Sequence, residues 1–271
     1  MKNNSFIAIV GYVFLTGALV SGAYFLWQSQ SRVDEKIAEA NEANRPAEIT
    51  LTSITPTECP LCHTATDYTD YINKQDVRIL SSETLTQDSD DGKALIEKYQ
   101  IHALPAVIVA GEYDKENVQS AFDALSGETR DEKLVIEEKR PVYFDLRDQT
   151  SVGLVTMTYV TDSSCETCYD PAILRSILEQ NMGVTITSAS TTDIQTAEGQ
   201  KLVEQYNLMQ VPTAILSVEA GAYTSLVSAW SSVGTIEEDG NFVLRKNDAL
   251  GQVTYRDMAS NELITTGTTN N

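Results

Sequence analysis

The chain has 271 residues, 42% of them hydrophobic, which is enough for two domains of about 100 residues each. Its 19 basic and 39 acidic residues give a formal net charge of −20. A surface this acidic repels phosphate backbones, so nucleic acid is not an expected partner, and solubility is the simplest reason for the charge.

The N-terminal part contains an apolar segment. Residues 6–27 form 22 consecutive positions without a charge, enough for one helix to cross a bilayer. We expect residues 1–5 to be a flank and residues 6–27 a transmembrane anchor. A cleaved signal peptide with residues 6–20 as its apolar region is the alternative, and length favours the anchor. Both interpretations place the remaining chain on the extracytoplasmic side of the cell membrane.

Residues 28–47 follow the anchor and are rich in Glu, Ala, Gln and Asn. This composition predicts a partly helical stalk that holds the folded part off the membrane. If the chain is exported, the folded part faces an oxidising compartment, where paired cysteines are common.

The first folded unit is expected over residues 48–150. Alternating β-branched residues predict a strand, and the motif Cys59-Pro60-Leu61-Cys62 follows it directly. After the motif the pattern predicts a helix, a strand, an acidic loop, a helix and, after Pro105, another strand. In chain order, the first strand and these five segments are residues 49–54, 64–73, 77–80, 81–92, 93–100 and 106–109.

The second unit, residues 151–265, repeats this plan around Cys165-Glu166-Thr167-Cys168. Its strands and helices are predicted at residues 154–160, 173–180, 184–187, 200–207 and 213–218. The distance from Cys59 to Pro105 is 46 residues, and that from Cys165 to Pro212 is 47. Each unit ends in two more strand-like runs, which start at residues 133 and 143 and at residues 241 and 255. A disordered tail is expected over residues 266–271.

This order resembles the thioredoxin fold, in which a Cys-x-x-Cys motif precedes a helix and a distant cis-proline faces the cysteines. The matching residues here are Cys59, Cys62 and Pro105 in one unit and Cys165, Cys168 and Pro212 in the other. The resemblance covers most of residues 48–265. It implies an α/β fold with two tandem thioredoxin-like domains, each a three-layer sandwich of βαβαββα type, similar to protein disulfide oxidoreductases with two such domains.

The resemblance also implies thiol–disulfide exchange. Cys59 and Cys165 would be nucleophiles at helix N-termini, where the helix dipole lowers a thiol pKa, and Cys62 and Cys168 would resolve the mixed disulfide. The residue pairs Leu104–Pro105 and Val211–Pro212 would bind the substrate peptide along a backbone edge. The expected partners are cysteine-containing exported proteins and a membrane redox protein that recycles the sites. No cofactor and no metal ion are expected.

Two features bear on activity. Thioredoxin has a buried acid six positions before its first cysteine, but Ser53 and Tyr159 stand there, which leaves the proton acceptor unassigned. Glu166 lies next to Cys165 and disfavours its thiolate, whereas Pro60 adds no charge next to Cys59. The first site is therefore expected to be the more oxidising one.

Other interpretations of the cysteines remain open. Both pairs could be structural disulfides, as in many exported proteins. The sequence from Cys59 to His63 matches a c-type haem attachment motif, although Tyr169 replaces the histidine in the second unit. A single zinc site is disfavoured by the 102 residues between Cys62 and Cys165. The alternative function is a redox-inert or redox-gated scaffold that binds peptides at the proline loops.

Overall fold

The computed structural model describes Trp27, Gln30, Arg32, Val33 and residues 35–267. Among these residues no helix combines the length and the apolar character that a membrane span requires. The predicted anchor, residues 6–27, lies outside the described residues apart from Trp27. Most of the predicted tail does so too, although Thr266, its first residue, donates its N–H to the Val253 carbonyl at 2.9 Å.

The predicted stalk contains a helix that is attached to the first unit. Residues 35–44 form this exposed helix, α1. Arg45 follows α1 and makes a bidentate ion pair with Glu112. The same carboxylate accepts the N–H of Glu48 at 2.9 Å, and Lys115 donates to the Arg45 carbonyl at 2.8 Å. Arg45, followed by the Glu48 N–H, lowers the pKa of Glu112 to about 2. These contacts fix the end of α1 against the first unit.

The first unit is built on a five-stranded sheet. The strands of the whole unit are β1 (Ala47–Thr55), β2 (Val77–Thr86), β3 (Ala103–Leu104), β4 (Ala106–Gly111), β5 (Glu128–Arg130), β6 (Lys133–Glu137), β7 (Tyr143–Asp145) and β8 (Thr150–Val152). Its helices are α2 (Thr66–Asn73), α3 (Asp90–Tyr99) and α4 (Gln119–Asp123). The spatial order is β2-β1-β4-β6-β5, with β1 parallel to β2 and antiparallel to β4. A separate small sheet has the order β3-β7-β8.

The second unit has the same arrangement. Its strands are β9 (Leu154–Thr161), β10 (Thr185–Asp193), β11 (Gln210–Val211), β12 (Thr213–Leu216), β13 (Gly234–Ile236), β14 (Phe242–Leu244), β15 (Thr254–Asp257) and β16 (Leu263–Thr265). Its helices are α5 (Ile173–Met182), α6 (Ala197–Gln205) and α7 (Thr224–Trp230), and two 3-10 helices span Val218–Ala222 and Asn247–Leu250. The main sheet has the order β10-β9-β12-β14-β13 and the small sheet β11-β15-β16.

In the first unit, helices cover both faces of the main sheet, as the three-layer prediction requires. Along β4, Val107 and Val109 pack in the cluster that contains residues of α2 and α4. Ala106 and Ile108, on the other face, pack in the cluster that contains Tyr99 of α3. Burying each large apolar side chain in these clusters contributes about 1.5–3 kcal/mol. The alternation of β4 thus divides the core into two layers.

Two predictions about the elements are wrong. The predicted acidic loop at residues 81–92 is largely strand and helix, because β2 continues to Thr86 as an exposed edge strand paired with β1. The closing helix of the βαβαββα order is also not found in the first unit, where the described residues between β6 and β9 form only β7 and β8. β7 pairs with β3 and with β8, which confirms the prediction of an added strand at residue 143.

Helices α3 and α6, which have equivalent places in the two units, begin in the same way. The Ser89 hydroxyl accepts the N–H of Gly92 at 3.1 Å, and the Thr196 hydroxyl accepts that of Gly199 at 3.0 Å. Such caps contribute about 1 kcal/mol each. A Cβ atom on Gly92 would lie 2.1 Å from the Thr86 carbonyl oxygen, so a glycine is required there.

A single residue, Gly153, separates β8 from β9 and so joins the two units. Its φ of +89° lies in a region that favours glycine. Its N–H donates to the Glu219 carboxylate at 2.7 Å, and its carbonyl accepts the Tyr223 hydroxyl at 2.7 Å. The junction is therefore held by two side chains of the second unit.

Candidate active site

The first cysteine pair is a disulfide next to a cis-proline. Cys59 and Cys62 are bonded at 1.99 Å in the turn after β1, and each is 9% exposed. They share an apolar cluster with Leu104 and Ala106, the two neighbours of Pro105. The Leu104–Pro105 peptide bond is cis, as predicted. The structure thus brings the cysteines and the proline loop together.

The cysteines do not lie at helix N-termini, so that prediction is wrong. Helix α2 begins at Thr66, seven residues after Cys59, and α5 begins at Ile173, eight residues after Cys165. The effect of a helix dipole falls off within the first turn. Neither Cys59 nor Cys165 therefore has the helix N-terminal position on which the prediction was based.

His63, directly after Cys62, attaches the first turn to the segment before β7. Its backbone N–H donates to the Val142 carbonyl at 3.0 Å, and its Nε2 lies 3.0 Å from the Pro141 carbonyl oxygen. Nε2 is therefore the protonated ring nitrogen, since a carbonyl can only accept. Nδ1 faces the Asp67 carboxylate at 3.6 Å.

The second pair, Cys165 and Cys168, is bonded at 1.97 Å in the turn after β9. Cys165 is 8% exposed, and its N–H donates to the Asp162 carbonyl at 3.0 Å. Cys168 is only half-buried and is the more exposed of the two. The expected nucleophile is therefore the less accessible member of this pair in its oxidised form.

Tyr169 is the counterpart of His63 and connects the second pair to its cis-proline. Its N–H donates to the Thr254 carbonyl of β15 at 3.0 Å. Its hydroxyl lies 3.1 Å from the Pro212 carbonyl oxygen and 2.9 Å from the Asn247 side-chain oxygen. The Val211–Pro212 bond is cis, as predicted. Burial raises the pKa of Tyr169, so its hydroxyl remains a hydrogen-bond donor at neutral pH.

Sequence reasoning missed a buried ion pair beside the second pair. The Asp162 side chain is fully buried and binds Arg256, which lies opposite Val211 in the β11–β15 pairing. Ser164 donates to the same carboxylate at 2.6 Å. Burial opposes ionisation of Asp162, but the bonds from Ser164 and Arg256 outweigh it and hold its pKa below the usual 3.8. The pair links the turn before Cys165 to the strand opposite the proline loop.

A second buried acid, Glu138, lies beside the first proline loop. Its N–H donates to the Pro105 carbonyl at 3.0 Å, and its carboxylate binds Nε and Nη2 of Arg140 at 2.9 and 2.8 Å. Burial opposes its ionisation, but Arg140 outweighs this effect and lowers the pKa of Glu138. A carboxylate with a low pKa is a weak proton acceptor. Arg140 therefore holds Glu138 in its charged form. Ser53, at the position where thioredoxin has its acid, is buried.

Sequence signals for these acids were uneven. Glu138 stands two residues before Arg140, and Asp145 two residues before Arg147, and both acids bind that arginine. This short spacing could have indicated the pairs. Asp162 and Arg256 are 94 residues apart, and only the fold brings them together.

The charges beside the two expected nucleophiles are more alike than predicted. Glu166 follows Cys165 and is exposed, but Glu58 precedes Cys59 and is exposed as well. Each cysteine thus has one adjacent carboxylate. The predicted order of the two reduction potentials loses the charge difference on which it was based.

No protein-family model and no curated protein sequence match the chain. Among solved structures, it is similar to the AhpF component of the alkylhydroperoxide reductase of Enterococcus faecalis, with 13% identity, 68% of this chain and 88% of the other covered, and a TM-score of 0.20. It is also similar to a protein disulfide oxidoreductase from Aeropyrum pernix, with 14% identity, coverages of 65% and 78%, and a TM-score of 0.19.

Both folded units are thioredoxin-like. The strand order of the main sheets, the cysteine pair after the first strand and the cis-proline before the third main-sheet strand in chain order support this assignment in each unit. The thioredoxin-like units differ in what surrounds the cysteines. Phe144 of the first unit pairs with Leu104 as Arg256 of the second pairs with Val211. The first site is therefore lined by an aromatic ring where the second has an ion pair.

Proposed function

We propose that the protein is a membrane-anchored thiol–disulfide oxidoreductase that acts on cysteines of exported proteins. The observation that supports this best is the duplicated placement of a Cys-x-x-Cys disulfide beside a cis-proline loop. The uncharged segment at residues 6–27 supports the anchor and the extracytoplasmic location.

In the reducing direction, the Cys59 thiolate attacks a substrate disulfide, forms a mixed disulfide and releases one substrate thiolate. The Cys62 thiolate then attacks Cys59, releases the second substrate thiolate and forms the Cys59–Cys62 disulfide. The substrate gains two electrons and the cysteine pair loses two. In the oxidising direction the same steps run backwards. Cys165 and Cys168 have the same roles, and Leu104–Pro105 and Val211–Pro212 hold the substrate backbone.

Continued turnover requires a redox partner that restores each pair. A membrane dithiol or disulfide protein fits this role, because the anchor confines the sites to the membrane surface. A partner that supplies its dithiol form makes the protein a reductase, and a partner that supplies its disulfide form makes it an oxidase.

The test is turnover of insulin reduction and of refolding of a scrambled disulfide substrate. We expect turnover by the wild-type chain and its loss in the double variant Cys59→Ser, Cys165→Ser. Mixed disulfides should accumulate in Cys62→Ser and Cys168→Ser, where the resolving sulfur is missing. A trap formed by Cys165→Ser instead would assign the second nucleophile to Cys168.

A second candidate is a peptide-binding scaffold with redox-inert or redox-gated cysteines. Burial favours it, since Cys59, Cys62 and Cys165 are at most 9% exposed. Peptide binding that survives the double serine variant, combined with no turnover by the wild-type chain, would establish the scaffold and exclude the oxidoreductase.

A further inference from the structure

Each unit has a cleft near its cysteine pair. It lies between a helix, α3 or α6, and the hairpin formed by the last two strands of the unit, β7–β8 or β15–β16. The first cleft has a volume of about 260 Å³ and is lined by Ile96 and Glu97 of α3 and by Leu146 and Gln149 of the β7–β8 loop. The second cleft has a volume of about 550 Å³ and is lined by Val203 and Glu204 of α6 and by Met258 and Asn261 of the β15–β16 loop.

The two clefts are built from equivalent positions. Glu204 follows Glu97 by 107 residues, the same interval that separates Pro212 from Pro105. Met258 follows Leu146 by 112 residues, the interval that separates Tyr255 from Tyr143. The duplication has therefore kept both walls of the cleft although most of the residues in them have changed.

The same backbone bond holds the hairpin wall in place in each unit. The N–H of Leu146 donates to the His102 carbonyl at 2.8 Å, and that of Met258 donates to the Met209 carbonyl at 2.9 Å. His102 and Met209 each lie three residues before the cis-proline. The position of each hairpin is thus tied to the proline loop.

Each cleft is lined by residues that pack against, or directly neighbour, a cysteine of its unit. Ile96 and Leu146 pack against the apolar cluster that contains Cys59 and Cys62. The second cleft is lined in addition by Ser164, which directly precedes Cys165. A peptide whose cysteine reaches the disulfide therefore passes next to the cleft.

The clefts share an apolar floor and one exposed carboxylate whose charge is not offset by another lining residue. Asp88 and Lys93 also line the first cleft with opposite charges, and Arg256, which lines the second, is paired with Asp162. Ile96 and Leu146 form the floor of the first cleft, and Val203 and Met258 that of the second, all of them half-buried. Glu97 and Glu204 are exposed, and neither has an ion pair within the described part of the chain. The complementary ligand has an aliphatic side chain next to a cation, which also suits the net charge of −20.

We propose, on the basis of the exchange activity proposed above, that each cleft binds the substrate segment beside the reacting cysteine. An aliphatic side chain of that segment lies between the helix and the hairpin, and a neighbouring Lys or Arg contacts Glu97 or Glu204. The clefts thereby select cysteines in basic, aliphatic sequence contexts.

The test uses full-length chain and fluorescein-labelled peptides that contain serine in place of cysteine. The probe Gly-Ala-Lys-Leu-Ser-Ala-Gly is compared with the peptides that have Glu for Lys or Ala for Leu, by fluorescence anisotropy. We expect the Lys-Leu probe to bind most tightly. The double variant Glu97→Gln, Glu204→Gln should weaken its binding about two- to fivefold, the range for exposed ion pairs.

The matched control is the double variant Asp91→Asn, Glu198→Gln. These exposed acids stand six residues before Glu97 and Glu204 on the same two helices and outside the clefts. The control changes the net charge by the same amount, so it shows how much of any loss of binding comes from weaker general attraction between a basic peptide and an acidic protein. Equal Kd values for the two double variants would overturn the proposal, as would equal binding of the Lys and Glu peptides.

Failure of the cleft and failure of the exchange activity are distinguishable because the probes contain no cysteine. Insulin turnover combined with binding that does not depend on Glu97 and Glu204 would reject the clefts and leave the activity. Binding that depends on these glutamates without any turnover would reject the activity and leave the clefts.

Discussion

The hydroxyl oxygen of Tyr169 lies 3.1 Å from the carbonyl oxygen of Pro212, so the residue directly after Cys168 contacts the cis-proline of the second unit. The backbone N–H of Tyr169 also donates to the Thr254 carbonyl in the small sheet β11-β15-β16. His63 has the equivalent place after Cys62 and binds the carbonyls of Pro141 and Val142. In both units this residue fixes the turn that carries the disulfide.

We predict that Tyr169→Phe lowers the free energy of unfolding by about 1–2 kcal/mol. The change removes a partly buried hydroxyl and leaves polar groups of Pro212 and Asn247 with one partner fewer. Urea unfolding monitored by fluorescence measures the effect. Tyr71→Phe is the control, because Tyr71 is 36% exposed and substitutions at such positions usually change stability by less than about 0.5 kcal/mol. Equal stabilities of the two variants would contradict the role of Tyr169.

The Asp162–Arg256 pair predicts a dependence of stability on pH. The pKa of Asp162 is lowered in the folded state, so its ionised form stabilises the fold above the ordinary pKa of 3.8, and this contribution is lost as the pH falls through the lower folded value. Asp162→Asn leaves Arg256 without its carboxylate and should cost about 3 kcal/mol at pH 7. The difference from wild type should shrink below the ordinary pKa. Urea unfolding over this acidic range measures it, with exposed Asp70→Asn as control. A difference that does not change with pH would refute the assignment.

The adjacent carboxylates predict equal, local effects on the two reduction potentials. Removing a negative charge next to a thiolate stabilises the reduced form and raises the potential. Glu58→Gln and Glu166→Gln should each raise the potential of the adjacent pair by about 10 mV, which corresponds to the few tenths of a kcal/mol of an exposed charge interaction. Redox titration of each pair, with the other replaced by serine, measures this. An effect of Glu166→Gln alone would contradict this and would support the earlier prediction that the first site is the more oxidising one.

Local signals made much of the fold and the sites predictable. The cysteine motifs, the alternation of β1 and the apolar run of β4 are patterns of neighbouring residues, and the prolines were found because the interval from cysteine to proline is repeated in the second unit. The structure places these elements as expected. The helices predicted at residues 64–73 and 173–180 begin within two residues of α2 and α5, but the cysteines were wrongly placed at their N-termini, because a four-residue cysteine motif does not indicate how many turn residues follow it. The contact of Arg256 with Asp162 and the two clefts depend on pairings between distant segments. A single sequence contains no local signal for such pairings.

Gly153 allows a test of the junction between the units. A Cβ atom there would lie 2.6 Å from the Pro141 Cβ, at a φ of +89°. Gly183→Ala is the matched control, since Gly183 also has a positive φ, +67°, but a Cβ would meet nothing within 4 Å. Both changes carry the positive-φ cost of about 1–2 kcal/mol, and only Gly153→Ala adds the contact. We therefore expect Gly153→Ala to be the more destabilising by about 1 kcal/mol or more in urea unfolding. Because Pro141 binds the His63 ring, displacement of Pro141 should also change the rate at which iodoacetamide labels the reduced first pair. Equal destabilisation by the two variants, with an unchanged labelling rate, would show that the junction does not act on the first site.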